Sequence, residues 1–139
     1  MSIEGLFREK LFPIAGENLT LDQIEFEKLF ERNSDPRIHF VLNCGAVSCP
    51  TLNNEAISPQ ELDEQLDFAI SMVMDRDDYV YVDHAEKEVR VSKIFDWYRD
   101  QFELNGSIRT FINTHRFVSI PDDYDIGFFE YDWTLNDVR

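Results

Sequence analysis

The sequence has few of the residues that mark several large classes of protein. It contains only two cysteines among 139 residues, which excludes a scaffold stapled by several disulfides. No apolar run approaches the roughly 20 residues of a membrane span, and the N-terminus lacks the basic and apolar regions of a signal peptide. We therefore expect no membrane insertion, and the cytosol is favoured as the compartment.

Basic residues are scarce as well. The chain carries 13 Lys and Arg against 28 Asp and Glu, which gives a formal net charge of −15. Binding to phosphate backbones needs a basic surface, so nucleic acid is excluded as the main partner. Hydrophobic residues nevertheless make up 43% of the chain, enough for a folded core. We expect the partner to be a protein, or a small-molecule or peptide substrate.

The order of patterns along the chain predicts an α+β fold. Strand and helix signals mix without strict alternation, which favours a small mixed sheet that includes a β-hairpin and packs with about four helices. No repeat, low-complexity tract or linker interrupts residues 1–139, so we predict a single continuous domain. Two short strands are predicted in residues 10–19, around a turn at Gly16-Glu17-Asn18. Thr20 and Gln23 form a capping-box pattern before a helix that we expect to end near Asn33.

The remaining elements follow from apolar spacing and capping residues. The run 38–42 predicts a buried strand, and Ser58-Pro59 marks the start of a helix. Residues 79–82 and 89–91 predict a hairpin with its tip near Glu86. Two further helices begin after Ser92 and Ser107, and residues 126–133 predict a final strand. One face of the helix after Ser58 is expected to carry Leu62, Leu66, Ile70, Val73 and Met74.

Both cysteines lie in the turn-rich stretch 43–50. Cys44 follows directly from a predicted strand, and Cys49 comes five residues later. Strand ends often carry working residues, and backbone N–H groups near a turn can lower the pKa of a thiol. Three interpretations compete: nucleophilic catalysis, redox exchange between the two thiols, and burial of both thiols as packing groups.

Catalysis would use Cys49 or Cys44 as the nucleophile, His84 as the base and Asp96 as the residue that orients the base. The order Cys, His, Asp occurs in transglutaminase-like and papain-like hydrolases. His39 is an alternative base, although it lies in an apolar run. The five-residue spacing is not the C-x-x-C of a thioredoxin-type site, which disfavours redox exchange.

No metal ion or cofactor is expected. The two cysteines and the histidines His39, His84 and His115 contain no local pair with the spacing of a zinc finger. The acidic segment 122–127 has its glycine at the wrong position for a calcium-binding loop. A solvated loop explains this segment better.

The C-terminal half of the chain contains further candidate functional residues, which are aromatic or basic. Trp97 and Trp133 are expected to pack in the core rather than to form a binding site. Lys93 and Arg99 are expected to form surface ion pairs with neighbours such as Asp96 and Glu103.

Four motifs in a fixed order resemble one known family. They are Asp35-Pro36-Arg37-Ile38-His39-Phe40, Asn43-Cys44-Gly45-Ala46-Val47-Ser48-Cys49-Pro50, Ser92-Lys93-Ile94-Phe95-Asp96-Trp97-Tyr98 and Tyr131-Asp132-Trp133-Thr134-Leu135-Asn136. Together they are similar to the domain of unknown function 547, over residues 19 to 136. The resemblance singles out the motif residues Asn43, Gly45, Ser48, Pro50, Lys93, Trp97, Asp132 and Trp133.

The resemblance implies no particular reaction, because the family has no generally established activity. Related domains in plants are joined to leucine-zipper, DEP or glutaredoxin-like regions, a context that suits an interaction or regulatory module as readily as an enzyme. The absence of a convincing catalytic triad and the aromatic-rich acidic composition favour a protein-interaction or regulatory module. The alternative is a cysteine-dependent hydrolase or acyl transferase. Family members usually carry an upstream helical segment, which we expect to be missing here, and Phe26 occupies a position where histidine is common. An apolar surface left by that segment would be covered by a partner or by a second copy of the chain.

Overall fold

The structure is a computed structural model that describes residues 3–137, and its chain divides into two compact units between Asp35 and Pro36. The first unit contains helix α1 (Ile3–Arg8), strand β1 (Phe12–Ile14), strand β2 (Glu17–Leu19) and helix α2 (Leu21–Gln23), which continues as a π-helix over Ile24–Phe30. The prediction of a single continuous domain remains a prediction.

The first unit follows the sequence signals closely. Strands β1 and β2 pair antiparallel with Phe12 opposite Leu19, which confirms the two predicted strands. The turn lies at Ala15-Gly16, one residue earlier than predicted, and both residues have positive φ. The capping box is confirmed: the Gln23 N–H donates to the Thr20 hydroxyl at 3.2 Å, and the Thr20 N–H donates to Gln23 Oε1 at 3.1 Å. The π-helix ends at Phe30, before the predicted end near Asn33.

The second unit carries the larger sheet and the core. Its helical elements are a 3₁₀-helix (Pro36–Phe40), α3 (Leu62–Met74), α4 (Ile94–Trp97), α5 (Arg99–Phe102) and α6 (Ile108–Thr114). Its strands are β3 (Val80–Asp83), β4 (Glu88–Val91) and β5 (Asp125–Phe128). No helix in the described part of the chain combines the length and the apolar character needed to cross a membrane.

The three-stranded sheet is mixed, in the order β3-β4-β5. Strands β3 and β4 form the predicted hairpin, with Val80 opposite Val91 and Asp83 opposite Glu88. Strand β5 runs parallel to β4, so Phe128 lies beside Val91. The strand register therefore gives the sheet two distinct ends: one at Val80, Val91 and Phe128, and one at the hairpin turn.

The core of the second unit lies between this sheet and the helices. Helix α3 contributes the predicted face, since Leu66, Ile70, Val73 and Met74 are buried, whereas Leu62 is exposed. Phe40, Phe95 and Phe102 contact one another with ring centroids 4.7–6.0 Å apart. The helices and sheets together confirm the predicted small α+β fold. The described residues form six α-helices, whereas about four helices were predicted.

The predicted strand at 38–42 is wrong, because residues 36–40 form a 3₁₀-helix. The prediction of burial is correct for Ile38, His39 and Phe40. Periodicity cannot distinguish a short buried strand from a short buried helix in a five-residue apolar run. Contacts along α3 accompany the helical form: Arg37 donates to Asp63 at 2.7 Å and to Asp67 at 2.8 Å.

Other element boundaries also differ from the predictions. Helix α3 begins at Leu62 rather than at Pro59, because the Ser58 hydroxyl accepts from the Gln60 N–H in a local turn. The single helix predicted after Ser92 is two short helices, α4 and α5, separated at Tyr98. The final strand is residues 125–128 rather than 126–133. The helix after Ser107 is confirmed, with the Ser107 hydroxyl accepting from the Thr110 N–H.

Candidate functional site

The stretch 43–50 forms a tight loop closed by a disulfide between Cys44 and Cys49. The Asn43 side chain accepts from the Gly45 N–H at 2.7 Å and donates to the Pro50 carbonyl at 2.6 Å. Gly45 has φ +82°, a backbone conformation that favours glycine. Closing so short a ring stabilises the folded state by about 2 kcal/mol in the chain-entropy account.

The C-terminal segment packs along this loop and holds it from one side. Ala46 is fully buried and pairs with Leu135 in an isolated β-bridge. The Val47 N–H donates to the Thr134 carbonyl at 2.9 Å, and the Asn136 N–H donates to the Gly45 carbonyl at 2.7 Å. Two motifs that are far apart in the sequence therefore form one structure.

Ser48 and Tyr79 fix the other side of the loop. The Ser48 hydroxyl accepts from the Asp132 N–H at 2.9 Å, and the Ser48 carbonyl accepts from the Tyr79 hydroxyl at 3.0 Å. Tyr79 lies immediately before β3, so the loop is attached to the Val80 end of the sheet. The motif residue Ser48 thus has a structural role.

The Tyr131 hydroxyl lies against the disulfide. It donates to the Cys49 sulfur at 3.2 Å and lies 3.7 Å from the Cys44 sulfur. Desolvation raises the pKa of Tyr131 to about 12, so the hydroxyl keeps its proton at neutral pH. Cys49 is buried, and the Cys44 N–H also donates to its sulfur at 3.1 Å. The loop is therefore a packed and hydrogen-bonded unit.

Trp97, Tyr131 and Trp133 form a cluster of rings beside the loop, which we name the aromatic face. Tyr131 lies 4.7 Å from Trp97 and 4.6 Å from Trp133 between ring centroids, and the two tryptophans are 5.5 Å apart. Trp97 is 44% exposed and Trp133 is 56% exposed. The prediction that both tryptophans pack in the core is wrong, because each keeps about half of its surface in solvent.

A charged group extends along the neighbouring helices. Asp96 pairs with Lys93 at 2.6 Å and with Arg99 at 3.1 Å, and Arg99 also pairs with Glu103 at 3.6 Å. Hydrogen bonds from Lys93 and then Arg99 lower the pKa of Asp96, so this carboxylate stays charged. Both cations lie over the Phe128 ring. The predicted surface ion pairs are confirmed.

His84 lies at the opposite end of the sheet from the disulfide. It follows β3 in the hairpin turn, and its Nδ1 is 2.8 Å from the hydroxyl of Tyr124, the residue before β5. Tyr131, which contacts the sulfurs, lies after the other end of β5. The four residues of β5 between Tyr124 and Tyr131 span about 10 Å. Within residues 3–137, the hydrogen bonds of the two sulfurs go to Tyr131 and to the Cys44 N–H. The structure thus brings the two cysteines together but places His84 at the other end of the sheet, away from both sulfurs.

The other two histidines have partners of their own. His39 is buried, stacks on Tyr98 at 3.7 Å between centroids, and its Nε2 is 3.0 Å from Gln101 Oε1. Burial lowers the pKa of His39 to about 4, although the Gln101 hydrogen bond acts in the opposite direction. His115 Nδ1 is 2.8 Å from the Phe111 carbonyl. Among the described residues, no three histidine, cysteine, aspartate or glutamate side chains converge to hold a metal ion.

This geometry suits recognition better than nucleophilic chemistry. Both sulfurs are in the disulfide, so neither is a thiolate in this structure. Asp96, the proposed orienting residue, is engaged by Lys93 and Arg99. The aromatic face, by contrast, is half exposed and rigidly supported, as a binding surface requires.

Sequence reasoning missed the role of Tyr131. The motif that contains it was recognised, yet nothing in the spacing indicates that its hydroxyl contacts sulfurs 82 and 87 residues away. The available signal was the alternation of aromatic and polar residues in Tyr131-Asp132-Trp133, which places both rings on one side of an extended segment. All eight motif residues of the second unit lie in or beside the loop, the aromatic face and the ion pairs.

The comparison with family models agrees with the first two of the four motifs. No curated protein and no solved structure matches the chain. The model of a family described as "Protein of unknown function, DUF547" matches residues 2–72, just over half of the 139 residues. The matched range includes the cysteine loop, against which the motif 131–136 packs. The chain belongs to the DUF547 family of proteins of unknown function.

Proposed function

We propose that this chain is a protein-interaction module whose binding surface is the aromatic face. The observation that carries the proposal is the partial exposure of two clustered tryptophans, 44% for Trp97 and 56% for Trp133. Clusters of exposed aromatic side chains on a folded monomer commonly mark interaction sites. Tryptophan and tyrosine are also enriched among the residues that dominate binding energy at protein interfaces.

The chemistry around the face favours a partner with a cationic side chain. Asp132 lies between the two ring-bearing residues in the sequence and is exposed, and hydrogen bonds from Thr134 lower the pKa of its carboxyl. A charged carboxylate beside indole rings attracts lysine or arginine through Coulomb and cation–π interactions. The net charge of −15 acts in the same direction. The preferred target is therefore a segment with Lys or Arg next to an apolar side chain.

The cysteine loop supports this function by fixing the surface in advance. Tyr131 is held by the Cys49 sulfur, and Asp132 is held by Ser48. Exposed Val47 and Leu135, on the same paired backbone, extend the apolar surface. A surface that is already ordered loses less entropy on binding. The disulfide favours an oxidising compartment, where such bonds persist, over the cytosol.

Selection of peptides from a random phage-displayed library tests the proposal. We expect the wild-type protein, immobilised in oxidising buffer, to enrich peptides that carry Lys or Arg beside an apolar residue. The double variant Trp97→Ala/Trp133→Ala should bind the synthesised peptide at least about tenfold more weakly, since each 1.4 kcal/mol is tenfold in Kd. Fluorescence anisotropy measures the affinities.

Two controls separate binding from loss of structure and from thiol chemistry. Phe117→Ala removes a ring that is 97% exposed and lies outside the aromatic face, so affinity should not change. The double variant Cys44→Ser/Cys49→Ser should lose stability and, when folded, should weaken binding less than the tryptophan double variant does, because binding uses the ordered surface and requires no sulfur chemistry. Failure to enrich any peptide, or equal affinity for wild type and the tryptophan double variant, would overturn the proposal.

A further inference from the structure

A second surface lies in the same unit and shares no residue with the aromatic face. It is a groove of about 580 Å³ between helix α3 and the segment 51–55, which follows the cysteine loop. We name it the α3 groove. Leu52 forms part of one wall, and Phe68 and Met72 form part of the other.

The groove is held open by hydrogen bonds at both ends of its loop wall. At one end, Arg76 Nη1 donates to the Thr51 hydroxyl at 3.3 Å. At the other end, the Gln65 side chain accepts from the Ser58 N–H at 2.7 Å and donates to the Ala56 carbonyl at 3.4 Å. A groove fixed in this way costs little reorganisation when it is filled.

The apolar side chains of the groove point into solvent instead of into the core. Phe68 is 58% exposed, Met72 is 47% exposed and Leu52 is 69% exposed. Phe68 and Met72 are four residues apart on α3, so they form one stripe along the helix, opposite to the buried face of Leu66, Ile70 and Val73. Helix α3 is therefore apolar on two sides, and among residues 36–137 only one of these sides packs into the core.

The rim of the groove is acidic. Glu55, Glu61 and Glu64 line it, and no lysine or arginine does. Within the described residues, none of these three carboxylates forms an ion pair, although other acids of the unit pair with Lys93, Arg37 and Arg76. Apolar side chains beside three carboxylates without ion pairs are complementary to a segment that has apolar anchors and basic residues.

We propose that the α3 groove binds a basic amphipathic segment of another protein. Apolar side chains of that segment occupy the space between Leu52 and the Phe68–Met72 stripe, and its lysines or arginines pair with the rim carboxylates. This site is independent of the aromatic face, so either surface can be wrong without affecting the other.

The probe is a fluorescein-labelled 14-residue peptide of leucine and lysine, arranged to form an amphipathic helix. We expect it to bind the full chain at low salt, and the same peptide with glutamate in place of lysine to show no binding. Phe68→Ser/Met72→Ser and Glu61→Gln/Glu64→Gln should each weaken the affinity about tenfold, as measured by fluorescence anisotropy. All four side chains are exposed, and circular dichroism checks that the variants fold.

Matched variants distinguish the groove from general attraction to an acidic protein. Phe117→Ser/Val118→Ser removes two other exposed apolar side chains, and Glu86→Gln/Glu88→Gln removes two exposed carboxylates of the hairpin. Each control should change the affinity by less than about twofold. Equal weakening by the control and groove variants would overturn the proposal. So would a self-association in ultracentrifugation that Phe68→Ser/Met72→Ser abolishes, because the occupant would then be a second copy.

Discussion

The Tyr131 hydroxyl joins parts of the chain that are 82 residues apart in the sequence, through its hydrogen bond to the Cys49 sulfur. Its neighbour Asp132 does the same through Ser48. A small number of polar atoms thus links the C-terminal segment to the cysteine loop. Because the Tyr131–Cys49 hydrogen bond is partly buried, removing one of its two partners leaves the other without a hydrogen bond. The residues of the motifs are therefore structural supports for the surface that they surround.

His39 is a residue whose charge state depends on folding. It is buried between the Tyr98 and Phe102 rings, with Gln101 beside its Nε2. Burial lowers its pKa from 6.5 to about 4, because a charged imidazole loses its hydration there. At neutral pH the folded and unfolded chains both carry a neutral His39. The folded and unfolded chains differ in the charge of His39 only when the solution is acidified.

The free energy of unfolding should fall as the pH decreases from about 6.5 to about 4. In this range the unfolded chain binds a proton at His39 that the folded chain does not bind, so protons favour unfolding. His39 contributes about 2 to 3 kcal/mol to this loss by pH 4.5. Urea unfolding at pH 7 and pH 4.5 measures it. His39→Gln should show a smaller fall than wild type.

Direct titration of the His39 ring by NMR gives a second measurement that does not depend on the variant. A His39 that titrates at its ordinary value would contradict the prediction.

Among the elements, helix α6 shows most directly how a local signal positions part of the core. The Ser107 hydroxyl accepts from the Thr110 N–H at 3.1 Å and caps the helix. The helix then carries Ile108 and Ile112 into the core. Its Asn113 side chain bonds both the N–H and the carbonyl of Ile120, which fixes the chain before β5. The cap therefore affects both the helix and the strand that leads to the aromatic face.

Ser107→Ala should lower the free energy of unfolding by about 1 kcal/mol, because the Thr110 N–H loses its acceptor. Urea denaturation at pH 7 measures the change. Ser71→Ala is the matched control: its hydroxyl donates to the Phe68 carbonyl inside α3 and caps no helix end. Its effect should stay within about 0.5 kcal/mol. If both variants lost the same free energy of unfolding, the Ser107 cap would add no stability beyond that of an ordinary surface serine.

The 3₁₀-helix shows where local signals are insufficient. The apolar run from Ile38 to Leu42 fits a strand or a helix equally, since its first three residues are all buried and show no periodicity. No strand of the sheet pairs with it. Instead, Arg37 bonds Asp63 and Asp67, which are four residues apart on α3. Neighbours along the chain cannot specify that contact.

At the scale of the whole molecule, the chain is two compact units joined at residues 31–35. Residues 31–34 of this segment are exposed, and residues 33–35 form no regular structure. Exposed irregular segments between compact units are the preferred sites of proteolysis, because the protease must bind the backbone in an extended form. The joining segment contains one tryptic site, Arg32.

Limited trypsin digestion should first give a persistent fragment that begins at Asn33. Arg116, the alternative site before exposed Phe117, is mostly buried and bonds the Val80 carbonyl. Mass spectrometry identifies the cut. Arg32→Gln should remove this fragment without changing the circular dichroism spectrum. Early cleavage inside residues 36–137, with the segment 31–35 intact, would contradict the prediction.

Much of the local structure could be predicted from the sequence, because its signals act between near neighbours. The capping box at Thr20, the hairpin of β3 and β4, the Ser107 cap and the buried face of α3 are all confirmed. The excess of acid also predicts that polyanions are not the main partners, since net charge needs no coordinates, and this stays a prediction. The four motifs identified the family, which the match over residues 2–72 confirms.

The tertiary structure alone decided what those motifs form. It joined Cys44 to Cys49, placed Tyr131 against them, and left His84 beside Tyr124 at the other end of the sheet. It also left Trp97 and Trp133 half in solvent, although both were expected to pack in the core. The physical reason is that burial and proximity depend on which distant segments pack together. Apolar periodicity shows that a face is apolar, and only the packed chain shows whether that face is covered.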